Sequence, residues 1–172
     1  EAAHWSATNL AGLDDFTSGY GISANVLSPL PAAGGANNMR CVVIDFITND
    51  LATRTLTQYA TNLRVILDYL VARPTIDVII MKRPAKPDTI TRAGPGGWAA
   101  YSAVFKQVCG EYPDHCVLDD DDEALGLEVG NLAYTARPSG DPRFDVDTIH
   151  YTPLGASWSA GRTASLIMGV AT

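Results

Sequence analysis

Two apolar runs separated by one amphipathic stretch constrain the fold of this chain more than any other feature. Cys41-Val42-Val43-Ile44-Asp45-Phe46-Ile47 is almost continuously apolar and rich in β-branched residues, the pattern of a strand buried on both faces. Ile76-Asp77-Val78-Ile79-Ile80-Met81 repeats that pattern. Between them, Leu56, Tyr59, Leu63, Ile66, Leu67 and Leu70 recur at helical spacing within Thr53 to Ala72, and Arg73-Pro74 ends the run. Strand, helix and strand in that order predict parallel pairing, because neighbouring parallel strands need a long crossover.

The remainder extends the same alternation. After Met81 the chain passes into Lys82-Arg83-Pro84-Ala85-Lys86-Pro87, and a Pro/Gly-rich segment to Gly97 reads as a long exposed loop that can act as a lid. Trp98 to Tyr112 is a second helix with Trp98, Tyr101, Ala103, Phe105 and Val108 available to a core. His115 to Asp119 is a short third strand. Asp119 to Glu123 is an unbroken acidic run, read as a solvated strand end rather than a calcium loop, whose spaced ligands and central glycine it lacks. Ala124 to Val129 is expected as a short helix and Gly130 to Pro142 as loop. A closing helix from Pro153 to Met168 would turn Leu154, Trp158, Leu166 and Ile167 to the core. Residues 1–30 are irregular by pattern, and Pro29 to Asn38 is a loop. The whole predicts one α/β domain over residues 1–172, with a mainly parallel sheet and helices on both faces.

A formal charge of −7 without a Lys/Arg cluster argues against nucleic acid and anionic membranes as partners. No apolar run approaches the roughly 18 residues of a membrane span, so no span is expected. The start carries no leader pattern, which leaves a mature secreted protein, a cytosolic one, or a piece of a longer polypeptide. Cys109 and Cys116 flank a turn-like stretch, where a small disulfide loop is conceivable, while Cys41 reads as a small core residue. Neither spacing suits zinc, and no metal or cofactor is expected.

Chemistry enters at Asp147-Thr148-Ile149-His150, just before Thr152-Pro153, an N-cap and first-turn pair that opens the closing helix. A carboxylate three residues before a histidine can hold one ring nitrogen and leave the other facing a hydroxyl. By itself the pattern also fits a surface histidine beside a turn-forming acid. A second stretch, Thr48-Asn49-Asp50, ends the first apolar run, and the carboxyl ends of parallel strands are where open α/β sheets bind ligands.

With Val43-Ile44-Asp45-Phe46-Ile47-Thr48-Asn49-Asp50 and Asp147-Thr148-Ile149-His150 together, the chain resembles the SGNH (GDSL-like) hydrolases from about residue 9 to its end. That resemblance implies a flavodoxin-like three-layer α/β/α sandwich and the activity of an esterase, lipase, acetylhydrolase or thioesterase. It assigns His150 as general base, Asp147 as its orienting acid and Asn49 as a side-chain donor to the oxyanion. The backbone N–H of Gly12, or failing that Gly19, would be another donor. Two departures stand out. Ile47 occupies the place of the family's glycine before Asn49, and no Gly-Asp-Ser turn precedes Asn9. The nucleophile is then expected in a segment or neighbouring polypeptide that also supplies the first strand, or Ser6 has taken the role, or catalysis has been lost. The first option implies an extracellular or secreted esterase acting on a small-molecule or glycan acyl ester. The last implies an inactive binding or structural module on a cell-surface or phage virion protein. A flavodoxin-like nucleotide or receiver domain fits less well, since no Gly-rich phosphate loop follows an early strand.

Overall fold

The structure is a computed structural model that describes residues 41–45, 47, 55–72, 76–83, 97–126, 128–129, 133–134, 140–144 and 150–170. Its centre is a parallel sheet of β1 (Cys41–Ile44), β2 (Val78–Arg83) and β3 (Cys116–Asp120), in that spatial order. Helices α1 (Leu56–Val71) and α2 (Gly97–Gly110) are the crossovers. A short helix α3 (Asp121–Ala124) follows β3 directly, then β4 (Glu128–Val129) and β5 (Ala133–Tyr134) pair antiparallel, and α4 (Pro153–Val170) closes the chain. The chain is therefore α/β, and its layers are compatible with a three-layer sandwich.

Each crossover helix forms for a local reason. Thr55 caps α1: its Oγ1 accepts from the Gln58 N–H at 3.2 Å, and Gln58 Oε1 accepts from the Thr55 N–H at 3.0 Å. Tyr59, Asn62, Leu63, Ile66, Leu67 and Leu70 form its buried face, as the spacing predicts. On α2 the buried face is Trp98, Tyr101, Ser102, Phe105, Val108 and Cys109. The helices meet through Tyr59 and Tyr101, whose ring centroids lie 5.2 Å apart. Both press on one face of the sheet, where Ile44, Ile79, Met81 and Cys116 complete a single apolar cluster.

Side chains of a strand alternate between faces, so this packing divides β2. Ile79 and Met81 enter the α1/α2 cluster, whereas Val78 and Ile80 are buried outside it, toward α4. The layer formed by α4 contacts β2 and β3. Among the described residues it leaves Val43 of β1 47% exposed, so within them β1 is covered on one face and not on both as its apolar run predicts.

Three further expectations are corrected, and the open alternative of a Cys109–Cys116 disulfide is decided. Strand β2 continues through Lys82 and Arg83, both buried, instead of releasing them into a loop. The helix expected at Ala124–Val129 is replaced by α3 and β4, and β5 falls inside the expected loop. Cys109 and Cys116 are buried free thiols, with no disulfide between them. On α4 the buried positions are Gly155 and Ser159, while Leu154 is 58% exposed. The reason for the last lies in what α4 faces, which is charged.

Candidate functional site

The carboxyl ends of β2 and β3 carry two cations and an acidic run into the protein interior. The strands pair with Lys82 opposite Asp119 and Arg83 opposite Asp120. Because consecutive strand residues point to opposite faces, Asp119 and Asp120 separate, and Asp121 and Asp122 of α3 each join one of the two sides.

On the α4 face, Lys82 Nζ donates to Asp119 Oδ2 at 2.8 Å and to Asp121 Oδ1 at 2.7 Å. Helix α4 completes this cluster with polar side chains at helical spacing. Ser159 Oγ donates to Asp121 Oδ2 at 2.8 Å, Thr163 Oγ1 donates to Asp119 Oδ2 at 2.5 Å, and the Arg162 guanidinium lies within 3.4 Å of both carboxylates. On the other face, Arg83 Nε donates to Asp120 Oδ1 at 2.8 Å, and its Nη2 also bonds the Asp120 carboxylate. Arg83 Nη1 is 3.8 Å from Asp122, which accepts from Trp98 Nε1 at 2.8 Å, and Lys106 Nζ is 3.2 Å from Asp120.

Among the described residues, two cations thus meet two carboxylates on each side of the sheet. The balance matters because an unpaired buried charge is costly, while hydrogen-bonded partners offset much of the desolvation. Asp119, Asp120, Asp121 and Asp122 are all buried, so the acidic run is not the solvated strand end its composition predicts. The run also caps its own helix: Asp120 Oδ1 accepts from the Glu123 N–H at 3.0 Å.

Asp45, just beyond β1, is a further acid near the α4-side cluster. Burial pushes its carboxyl up to about 6; Lys82 opposes the rise and Asp121 adds to it. Part of the residue still reaches solvent.

The turn bearing His150 is tied to this cluster through its neighbour. Tyr151 Oη donates to Asp121 Oδ2 at 2.7 Å, and the Tyr151 ring packs on Phe144 with centroids 5.3 Å apart. Tyr151 and Phe144 also form an antiparallel bridge. The Thr152 N–H donates to the Arg143 carbonyl at 3.0 Å, and Thr152 Oγ1 donates to the Pro142 carbonyl at 2.6 Å. Thr152 Oγ1 also accepts from the Gly155 N–H at 3.2 Å, which makes Thr152 the N-cap its position before Pro153 predicts. Gly155 is required there: a Cβ would collide with the Arg143 carbonyl and come within 2.9 Å of the Tyr151 ring. His150 itself is exposed at the start of this braced segment.

Of the residues assigned by the SGNH resemblance, His150 alone falls among the described residues. Asn49, Asp147, Gly12, the alternative Gly19 and Ser6 lie outside them. Among the described residues, no cluster of three or more His, Cys, Asp or Glu side chains could hold a metal ion, and no helix is long and apolar enough to cross a membrane.

The residues that pattern reading missed are Lys82, Arg83, Asp119 to Asp122, Tyr151, Ser159, Arg162 and Thr163. A signal was available in the strand ends, since two cations close one parallel strand and acids close the next. Ser159 and Thr163, four apart on the closing helix, supply a matching polar stripe.

Comparison with protein-family models, curated proteins and solved structures found no match to this chain.

Proposed function

We propose that the chain is the histidine-bearing part of an SGNH-type carboxylic ester hydrolase, with the nucleophilic serine supplied from outside this sequence. The observation that supports this reading is the place of His150: at the head of α4, one residue from a tyrosine anchored to Asp121 just past the carboxyl end of β3. In parallel α/β sheets that edge is where ligands sit. An exposed imidazole on a braced turn is suited to take a proton.

In the proposed reaction, His150 accepts the serine proton as the serine oxygen attacks the ester carbonyl. Asn49 and the Gly12 N–H stabilise the oxyanion, and each such donor is worth roughly 3–4 kcal/mol. The alcohol leaves with the proton from His150, and water then hydrolyses the acyl-enzyme with His150 again as base. Asp147 orients the imidazole. Small-molecule or glycan acyl esters are the proposed substrates, and the reaction uses no metal or cofactor.

The test is hydrolysis of a short-chain acyl ester by the complete gene product. His150→Ala is expected to lower turnover by about three orders of magnitude or more. An unchanged rate rejects the mechanism. A second reading, an inactive SGNH-like binding module on a cell-surface or virion protein, draws support from Ile47. That side chain is 1% exposed within the apolar core, at the position where the family pattern has glycine. This reading expects no turnover and no labelling of the complete protein by a fluorophosphonate.

A further inference from the structure

We infer that Tyr151 and Asp121 are positioning residues for His150, an inference that rests on the proposed role of His150 as a base. Asp121 is a junction of three elements. Its Oδ1 takes Lys82 Nζ of β2 at 2.7 Å and faces Arg162 Nε of α4 at 3.3 Å, while its Oδ2 takes Ser159 Oγ of α4 at 2.8 Å. Oδ2 also accepts from the Tyr151 hydroxyl, at 2.7 Å. The carboxylate is fully buried and held from several sides, so it is a fixed point against which the next group is located.

Tyr151 transmits that location to the chain. Its hydroxyl is fixed by Asp121, its ring by Phe144, and its backbone is bridged to Phe144. Next in sequence, Thr152 is fastened to Pro142 and Arg143. The peptide that leaves His150 is therefore anchored immediately on its C-terminal side, while the imidazole stays accessible. Such an arrangement gives a base a defined origin without burying it. Misplacing a reacting group by about 1 Å can cost on the order of a hundredfold in rate.

Two variants separate positioning from general stability. Tyr151→Phe keeps the ring on Phe144 and removes only the hydroxyl. Ser159→Ala removes another donor to the same Asp121 oxygen without touching the histidine turn. In the full chain, Tyr151→Phe is expected to raise amide hydrogen exchange at Tyr151 and Thr152 about tenfold and to shift the His150 ring resonances. Exchange in α1 and α2 stays unchanged, and Ser159→Ala leaves the His150 resonances in place. In the complete protein, Tyr151→Phe is expected to lower kcat about 10- to 100-fold with KM nearly constant. Wild-type exchange and resonances in Tyr151→Phe, or equal disturbance by Ser159→Ala, overturn the inference. Absence of ester turnover in the wild-type complete protein overturns the hydrolase reading instead, and the exchange and resonance measurements still decide whether the anchor exists.

Discussion

Lys82 and Asp119 stand opposite each other in the β2–β3 register, with Lys82 Nζ 2.8 Å from Asp119 Oδ2 and the carboxylate wholly withdrawn from solvent. The same ammonium also holds Asp121. Replacing Lys82 with Met would leave both acids, among the described residues, with only the longer cationic contacts to Arg162, at 3.3–3.4 Å. Lys82→Met is expected to lower stability by about 3–5 kcal/mol, the usual cost of breaking a buried ion pair on one side. Chemical denaturation at neutral pH measures it, and a loss below about 1 kcal/mol, as for an exposed pair, contradicts the burial.

Asp45 makes stability depend on pH in a defined direction. Below the ordinary carboxylate range, the group is protonated in the folded and unfolded chains alike. As pH rises to about 6, the unfolded chain ionises first while the folded chain retains the proton, so this group's contribution to stability falls. Above about pH 6 the penalty is fully present. Asp45→Asn should therefore raise Tm at pH 7.5, by on the order of 2–4 °C after allowing for solvent screening of a partly exposed group, and give no gain at pH 4. Thermal scans at both values check the sign.

Burial pushes the Cys109 thiol up to about 11, and burial together with nearby Cys109 pushes Cys116 up to about 12. Thiolates are the reactive form, so both are expected to resist iodoacetamide at pH 8 in the native chain. Cys41 is half-exposed, and burial raises its thiol as well, so it should react first but slowly. Mass-spectrometric mapping after timed alkylation would show Cys41 modified first and the other two only after unfolding.

Gly155 permits the approach of the 141–144 segment to α4. In Gly155→Ala the new methyl group would meet the Arg143 carbonyl and the Tyr151 ring. Overpacking of this kind costs about 1–3 kcal/mol. Beyond a lower Tm, the His150 resonances are expected to move, because the same segment braces the histidine turn. A shift in Tm with wild-type His150 resonances would show that the turn does not depend on this contact.

Helical spacing identified α1 and its buried face because Tyr59, Leu63, Ile66, Leu67 and Leu70 bury apolar area without help from distant charges. Thr152-Pro153 likewise marked the start of α4, since a cap is written in adjacent residues. The acidic run was misread for the opposite reason. Whether Asp119 to Asp122 meet water or cations depends on which residues of the neighbouring strand lie beside them, and Lys82 and Arg83 are 37 positions away in the pairs they form. The inward face of α4 was misread with it. Apolar character alone points to Leu154, whereas the surface α4 covers is charged and takes Ser159 and Thr163. At the candidate site, the prediction of a histidine at the head of the last helix reduces to the placement of His150, since its proposed partners lie outside the described residues.

The alternation of the acids has a consequence for assembly. A parallel strand has no tight hairpin to set its alignment, so its position along the next strand must come from side chains. If β3 slid by a single residue, the Asp119 and Asp120 carboxylates would turn away from Lys82 and Arg83, and both layers would enclose bare charge. The paired teeth on the two sides act as a key that admits one alignment, and the carboxyl ends of β2 and β3, where Tyr151 is anchored, inherit that fixed geometry.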